Sequence, residues 1–295
     1  MSNQTVRYGQ RRLGGERNVH KTIKSRIFFG LLLAFFVLYA LSVIYPILWM
    51  MMNGFKNNQE FFANSWILPK QWKFSNFQVA WESGVGRYFF NSVFVTTVSV
   101  LLAVLISTLA AYAISRFQFK GRHVIFLIIL SGLMMAPQAS IVSLYQILKL
   151  FHLYNTYWGL IIPYAAFQIP FSVFLIRSYF LSIPRDVEEA TFLDGGNSWK
   201  LLWSVIIPMS RPIIISAALL ATIVIWNEFM FAITFLENGN QWTIPVGILN
   251  LKGRLTAGFG MQLAALSMAA LPMIIVFILF QRQFVRGLSA GSVKG

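Results

Sequence analysis

Cysteine is absent from this chain, and acidic residues are scarce: nine among 295 positions, against 24 Lys and Arg. Without cysteine there is no disulfide framework and no thiolate for metal binding or redox chemistry. The three histidines, His20, His123 and His152, are too scattered to form a helix-spaced metal pair, so no metal site is expected. No Gly-rich loop ending in Gly-Lys-Ser/Thr is present to cradle nucleotide phosphates, so the chain carries no energy source of its own. Charge of either sign is sparse, 11% of residues, where soluble domains carry about 25%. With 57% hydrophobic residues and a mean hydropathy of +0.65, most of the chain belongs in lipid. A net charge of +15 invites a nucleic-acid reading, but the basic residues are spread over short loops and ends, as membrane orientation requires, and no nucleic-acid partner is expected.

Apolar stretches long enough to cross a hydrocarbon core of about 30 Å occur six times, near 27–52, 89–115, 124–147, 157–180, 212–236 and 261–281. Unpaired backbone groups are not tolerated in lipid, so each span is expected as a helix, giving an all-α integral membrane fold. Seven Lys and Arg precede the first span, but its uncharged run is too long for a signal peptide and should stay in the membrane. With the first end inside, inner segments hold seventeen of the 24 Lys and Arg, which places both termini in the cytoplasm. The expected organisation is a basic segment 1–25, a membrane domain 26–285 containing a polar cytoplasmic loop 182–212, and a short tail 286–295. Pro46, Pro137, Pro163, Pro170 and Pro272 fall inside spans, where neighbouring helices can satisfy the carbonyls they free. The outer segment 53–88, with Trp66, Trp72 and Trp81, is long enough for a small lobe or for tryptophans at headgroup level.

Four of the nine acids, Asp186, Glu188, Glu189 and Asp194, fall in that cytoplasmic loop, where topology alone supplies only Lys and Arg. Pro184 suits a first helical turn, the carboxylates complement the positive end of the helix dipole, and Gly195-Gly196 can adopt the left-handed conformation that ends a helix. This predicts a short helix over about 184–194, with Val187, Ala190, Thr191 and Leu193 on a face able to dock on protein while Glu188 and Glu189 face elsewhere. A second short helix from Ser198 to Pro208 leads into the fifth span. An interfacial helix on lipid headgroups is the alternative, but those favour Lys and Arg on the polar face and this one is acidic.

The run Glu189-Ala190-Thr191-Phe192-Leu193-Asp194-Gly195, followed by Val205-Ile206-Ile207-Pro208, resembles the Glu-Ala-Ala loop of the membrane subunits of ABC importers. Glu189, Ala190, Gly195 and Pro208 stand at the family's spacing, while Thr191, Val205 and Ile207 depart from its residue types. Ile225-Trp226-Asn227-Glu228-Phe229 and the tail Gln283 to Gly295 are similar to the second permease subunit of maltose-type carbohydrate importers. The resemblance implies a six-helix type I importer permease in a bacterial cytoplasmic membrane. Its expected partners are a homologous second permease, two cytoplasmic ATPase subunits that bind ATP and Mg, an extracellular solute-binding protein, and a sugar, di- or oligosaccharide, as cargo. It implies further that the loop is a coupling helix seated on the ATPase, with Glu188, Glu189, Ala190, Asp194, Gly195 and Pro208 as coupling residues. The chain itself is expected to catalyse no reaction.

Glu228 is the one carboxylate deep within an expected span, roughly 25 Å along it counting from Arg211 at 1.5 Å per residue. An acid there is either a wall of the transport path or a latch on the partner subunit, or else an interfacial acid near the outer headgroups. Gln138, Tyr164, Gln168 and Asn227 could offer hydrogen bonds to sugar hydroxyls and Trp226 an aromatic platform, and each also suits ordinary interhelical packing. A secondary transporter would need an ion-binding constellation beyond Glu228, and a membrane enzyme would need clustered His, Asp or Glu. An importer of a non-sugar solute is the closer alternative.

Overall fold

The computed structural model describes residues 23–251 and 258–292, with side chains over 28–251 and 258–283. No strand occurs among the described residues. The α-helices in chain order are α1 Ile23–Asn53, α2 Asn58–Ala63, α3 Ser75–Ala80, α4 Gly86–Arg116, α5 Arg122–Ser131, α6 Ile141–Leu150, α7 Trp158–Phe180, α8 Asp186–Leu193, α9 Ser198–Lys200, α10 Ile207–Met209, α11 Arg211–Trp226, α12 Met230–Phe235, α13 Ile244–Leu251 and α14 Phe259–Ser292. The chain divides into two units, one through Leu48 and one from Trp49 onward. In the first, the side chains from Phe28 to Pro46 are exposed on every face of an apolar helix, which is the pattern of a rod solvated by hydrocarbon.

The second unit is built on α4, α7, α11 and α14. Lipid tails are as apolar as leucine, so helices in a membrane associate through close packing of small residues and through hydrogen bonds. α4 supplies both on one face, burying Ser92, Ser99, Ala103, Ser107, Ala111 and Ser115 at helical spacing. Ser107 Oγ donates across to the Ile169 carbonyl of α7 at 3.4 Å, and Ser216 Oγ of α11 donates to the Gln283 carbonyl of α14 at 3.2 Å. Ala165 and Ser172 of α7 and Ala217 and Ala221 of α11 are buried likewise.

Four single helices are long and apolar enough to span: Phe28–Asn53, Ser75–Arg116, Trp158–Phe180 and Phe259–Gln283. Two bent pairs bring the number to six if each is taken as one span. One is the expected third span, which is not a continuous helix over 124–147. α5 and α6 meet at 92° across two 3-10 turns, Gly132–Met134 and Pro137–Ser140. The cause is Pro137, which offers no N–H and forces Ala136 into extended backbone (φ −75°, ψ 119°). Pro170 of α7 fills the bend so closely that a Cβ on Gly132 would lie 2.8 Å from its ring. The expected fifth span, 212–236, also breaks: α11 stops at Trp226 and the chain resumes as α12 at Met230. The second bent pair lies at the other end of α11, where Ser198–Met209 and Arg211–Trp226 meet at 75°.

α14 runs past the expected sixth span in both directions, and its backbone carries residues 286–292 of the expected tail as helix. Residues 1–22 of the basic segment and 293–295 lie outside the described residues. In the 53–88 segment α2 and α3 each pack against α14, and Trp66 and Trp72 are exposed. Lys56 in that segment is 1% exposed, with Nζ donating to the Asn64 carbonyl at 3.0 Å. Burial draws its pKa below the ordinary lysine value, against the opposing pull of the Glu60 charge. Where α4 begins, Asn91 donates from Nδ2 to the carbonyls of Asn240 and Trp242 and accepts from Tyr157 Oη at 2.8 Å.

Candidate functional site

Between α7 and α11 the chain leaves the bundle and returns. α8 occupies 186–193, inside the expected 184–194, with Pro184 just before the helix and not in its first turn. Asp186, Glu188 and Glu189 fill that first turn, where the helix dipole favours negative charge. The far end closes by the two paired bonds of a Schellman motif. Gly196 N donates to the Thr191 carbonyl at 2.9 Å and Gly195 N to the Phe192 carbonyl at 3.0 Å. Gly195 takes the left-handed conformation (φ +73°). Gly196 serves a different purpose: a Cβ there would come within 2.7 Å of the Thr191 carbonyl. Asn197 then caps the returning helix, its Oδ1 accepting from Lys200 N at 2.8 Å.

The return arm is α9, a wide π-helical turn over Leu201–Ile206, and α10. Leu201, Leu202 and Ile206 bury themselves among Ala111, Tyr112, Ile176, Phe180 and Ile183. Polar ties reinforce this cluster. Tyr112 Oη of α4 donates to the Ser198 carbonyl at 3.0 Å, and Tyr179 Oη of α7 donates to the Met209 carbonyl at 3.2 Å. Arg116, the last residue of α4, donates from Nη2 to the Ile183 carbonyl at 3.3 Å. Its Nη1 meets Glu188 Oε1 at 2.6 Å, and the two side chains are only 7% and 15% exposed.

That ion pair separates two carboxylates that the sequence groups together. Glu188 is turned inward onto α4 of its own chain, whereas Glu189 is exposed. The faces of α8 also differ from expectation. Val187 and Thr191 are the sheltered members, and Ala190 and Leu193 (88% exposed) stand outward beside Glu189 and Asp194. Leu193, Phe192 and Trp199 leave a large apolar patch in the open, which a loop sealed only against its own bundle would not present. Pro208 is half-buried at the 75° bend into α11, away from that surface. Arg116, Tyr112 and Tyr179 escape a sequence reading. The one available signal is an arginine closing a span just where an acidic loop must dock.

A second constellation lies within the bundle. At the break between α11 and α12, Glu228 accepts from the backbone N–H of Phe231 at 2.8 Å and of Ala232 at 3.3 Å. It also accepts from Tyr164 Oη of α7 at 2.5 Å. The carboxylate thus satisfies backbone donors that the interruption leaves without helical partners. Gln138, Tyr164, Gln168 and Glu228 line one cavity of about 270 Å³ at the bend of the broken third span. A larger hollow of about 700 Å³ lies alongside, and its wall is almost wholly apolar. The other two residues singled out for the path are elsewhere. Trp226 is buried against α14, its Nε1 donating to the Ala269 carbonyl at 3.3 Å. Asn227 is exposed, its side chain donating to the Ile223 carbonyl of its own helix. No group of His, Asp and Glu able to hold a metal occurs among the described residues.

Residues 103–290 match the family model of the binding-protein-dependent transport system inner membrane component. The probable ABC transporter permease protein YurM of Bacillus subtilis is 48% identical over 261 residues, 88% of this chain and 87% of that one. The trehalose/maltose transport system permease protein MalG of Thermococcus litoralis is 36% identical, over 88% of this chain and 94% of that one. In fold, the chain matches the crystal structure of a bacterial ABC transporter involved in the import of the acidic polysaccharide alginate. The TM-score is 0.77 at 24% identity, covering 89% of this chain and 98% of that one. A bundle of membrane-spanning helices, a docked acidic loop at the family's spacing and a family match over most of the chain have one common meaning: this chain belongs to the binding-protein-dependent transport system inner membrane components, as a multi-pass permease subunit of the ABC importer type.

Proposed function

We propose that this permease forms half of the translocation path of an ATP-driven sugar importer and converts closure of a partner ATPase into alternating access. The observation that carries this reading is the two-faced α8. Its outer side offers Glu189, Leu193 and Asp194 to a partner, while its inner side is bolted to α4 through Glu188–Arg116. A push on the exposed side is therefore delivered to α4 and, through the return arm, to α11. In this reading the loop and both termini face the cytoplasm, in keeping with the excess of Lys and Arg on that side. The remaining parts are a second permease, two ATPase subunits holding ATP and Mg, and an extracellular solute-binding protein. The coupling surface is Glu189, Ala190, Asp194 and the Gly195 turn, with Glu188 and Pro208 acting from within the chain. The domain limits of the sequence reading stand on the same footing, with 182–212 as the coupling loop.

A di- or oligosaccharide is the cargo class supported by relatives named for trehalose/maltose, diacetylchitobiose and melibiose/raffinose/stachyose. The cluster of Gln138, Tyr164, Gln168 and Glu228 suits hydroxyl-rich solutes, since amide, phenol and carboxylate groups together both donate and accept hydrogen bonds. The test is Glu189→Lys in the reconstituted importer. Ligand-stimulated ATP hydrolysis is expected to fall to the basal rate while the assembly stays intact. Undiminished stimulation by that variant would overturn the assignment.

A further inference from the structure

Arg122 opens α5 and Arg177 lies in the last turn of α7, and the two helices pack side by side. The Arg177 guanidinium sits 4.1 Å above the Phe126 ring, one helical turn along from Arg122. Among the described residues neither side chain meets a carboxylate. The single ion pair there is Arg116–Glu188, and Arg177 Nε is fully buried without an acceptor. Two like charges held together without a counter-charge are unfavourable unless an anion joins them.

The backbone at the same place is also open to an anion. α5 has no side-chain cap, and the N–H groups of His123 and Val124 find no acceptor among the described residues. A Cβ built on Gly121, the N-cap, would meet nothing within 4 Å. Free N–H groups at a helix N-terminus together with two guanidiniums are the chemistry of a phosphate site. Beyond the cations, Val124, Leu127 and Ile128 of α5 and Phe174 of α7 are exposed and apolar, so the two cations border a surface suited to hydrocarbon.

The geometry points to a bound anionic phospholipid, its headgroup phosphate between Arg122 and Arg177 and its acyl chains along the outer face of α5. This depends on the chain's place in a membrane and not on the coupling role of α8. A soluble phosphate would satisfy the cations equally but leave the apolar face unused. Charge complementarity and the contiguous apolar surface together favour lipid.

The test uses the whole importer, this chain with its companion subunits, purified in detergent and titrated with phosphatidylglycerol or phosphatidylcholine under native mass spectrometry. Wild type is expected to retain phosphatidylglycerol on the order of 25-fold over phosphatidylcholine, from two basic residues at the headgroup level. R122Q/R177Q is expected to lose that preference and R122K/R177K to keep most of it. A wild-type ratio near one overturns the proposal, and that arm needs no variant to fold. So does an unchanged ratio in R122Q/R177Q. Full displacement by inorganic phosphate would assign the site to a soluble anion and overturn the lipid. Release of the ATPase subunits by R122Q/R177Q with lipid retention unchanged would assign the arginines to a protein carboxylate. Loss of ligand-stimulated hydrolysis in Glu189→Lys, with the lipid ratio intact, would leave this inference standing.

Discussion

α11 is interrupted at both ends, and the two interruptions are held by opposite means. At its start the chain turns 75° and is tied down from outside, by Tyr112 and Tyr179 reaching in from α4 and α7 and by the buried Leu201, Leu202 and Ile206 of the return arm. At its end the break is held from inside, by one carboxylate of the broken segment that gathers two backbone N–H groups and a phenol. The first arrangement shares the load between two hydrogen bonds of modest worth and a packed apolar cluster. The second concentrates it on Glu228, a single half-buried carboxylate on the wall of a small cavity. A tie of the first kind yields by degrees, and one of the second kind is kept or lost.

This contrast is broken most sharply at Glu228. Replacing it with Leu leaves two N–H groups and the Tyr164 hydroxyl unpaired, each at about 1–3 kcal/mol, so a destabilisation of several kcal/mol is expected. Thermal unfolding of the purified assembly should show it, and Glu228→Gln, which keeps acceptor oxygen, should recover most of the loss. Next in size is Arg116→Ala, which strands Glu188 on a sheltered face, at about 3 kcal/mol. Arg116→Gln with Glu188→Gln should be milder than the single change, and a double-mutant cycle measures the difference. If Arg116→Ala proves as harmful as Glu228→Leu, the loop is not the distributed tie described here. Gly195→Ala is expected to be smaller, about 1 kcal/mol, because a Cβ at φ +73° is strained while nothing crowds the site. Glu189→Lys marks the lower limit, where reversing an exposed charge in the first turn of α8 is expected to cost about 0.5 kcal/mol beside its large expected effect on coupling.

Span number and the acidic loop are legible in the sequence, because length, hydropathy and the placement of four acids among basic loops are local signals. α8 sits within two residues of its expected limits for the same reason: its dipole charges and Gly-Gly stop are written side by side. The breaks in the third and fifth spans are hidden, since the apolar run continues across them and hydropathy does not register backbone direction. Pro137 and the pair Asn227-Glu228 are their only marks. Polar residues in an apolar span are conspicuous, which is why Gln138, Tyr164, Gln168 and Glu228 stand out before their meeting in space is known. Trp226 and Asn227 share that prominence but point to other faces of α11, and the 100° step between successive helical residues separates them from Glu228 once the helix stops. The Arg116–Glu188 pair joins positions far apart in the chain and depends on how α4 meets the loop, which no local pattern encodes.

Asn91 carries a consequence for motion. Its amide is committed on both sides, to the turn before α13 through Asn240 and Trp242 and to the entry of α7 through Tyr157. The beginnings of α4 and α7 and that turn are therefore clasped into one cap, able to tilt but not to spread apart. Motion between these helices is expected beneath the cap, at the places where the third and fifth spans are already cut.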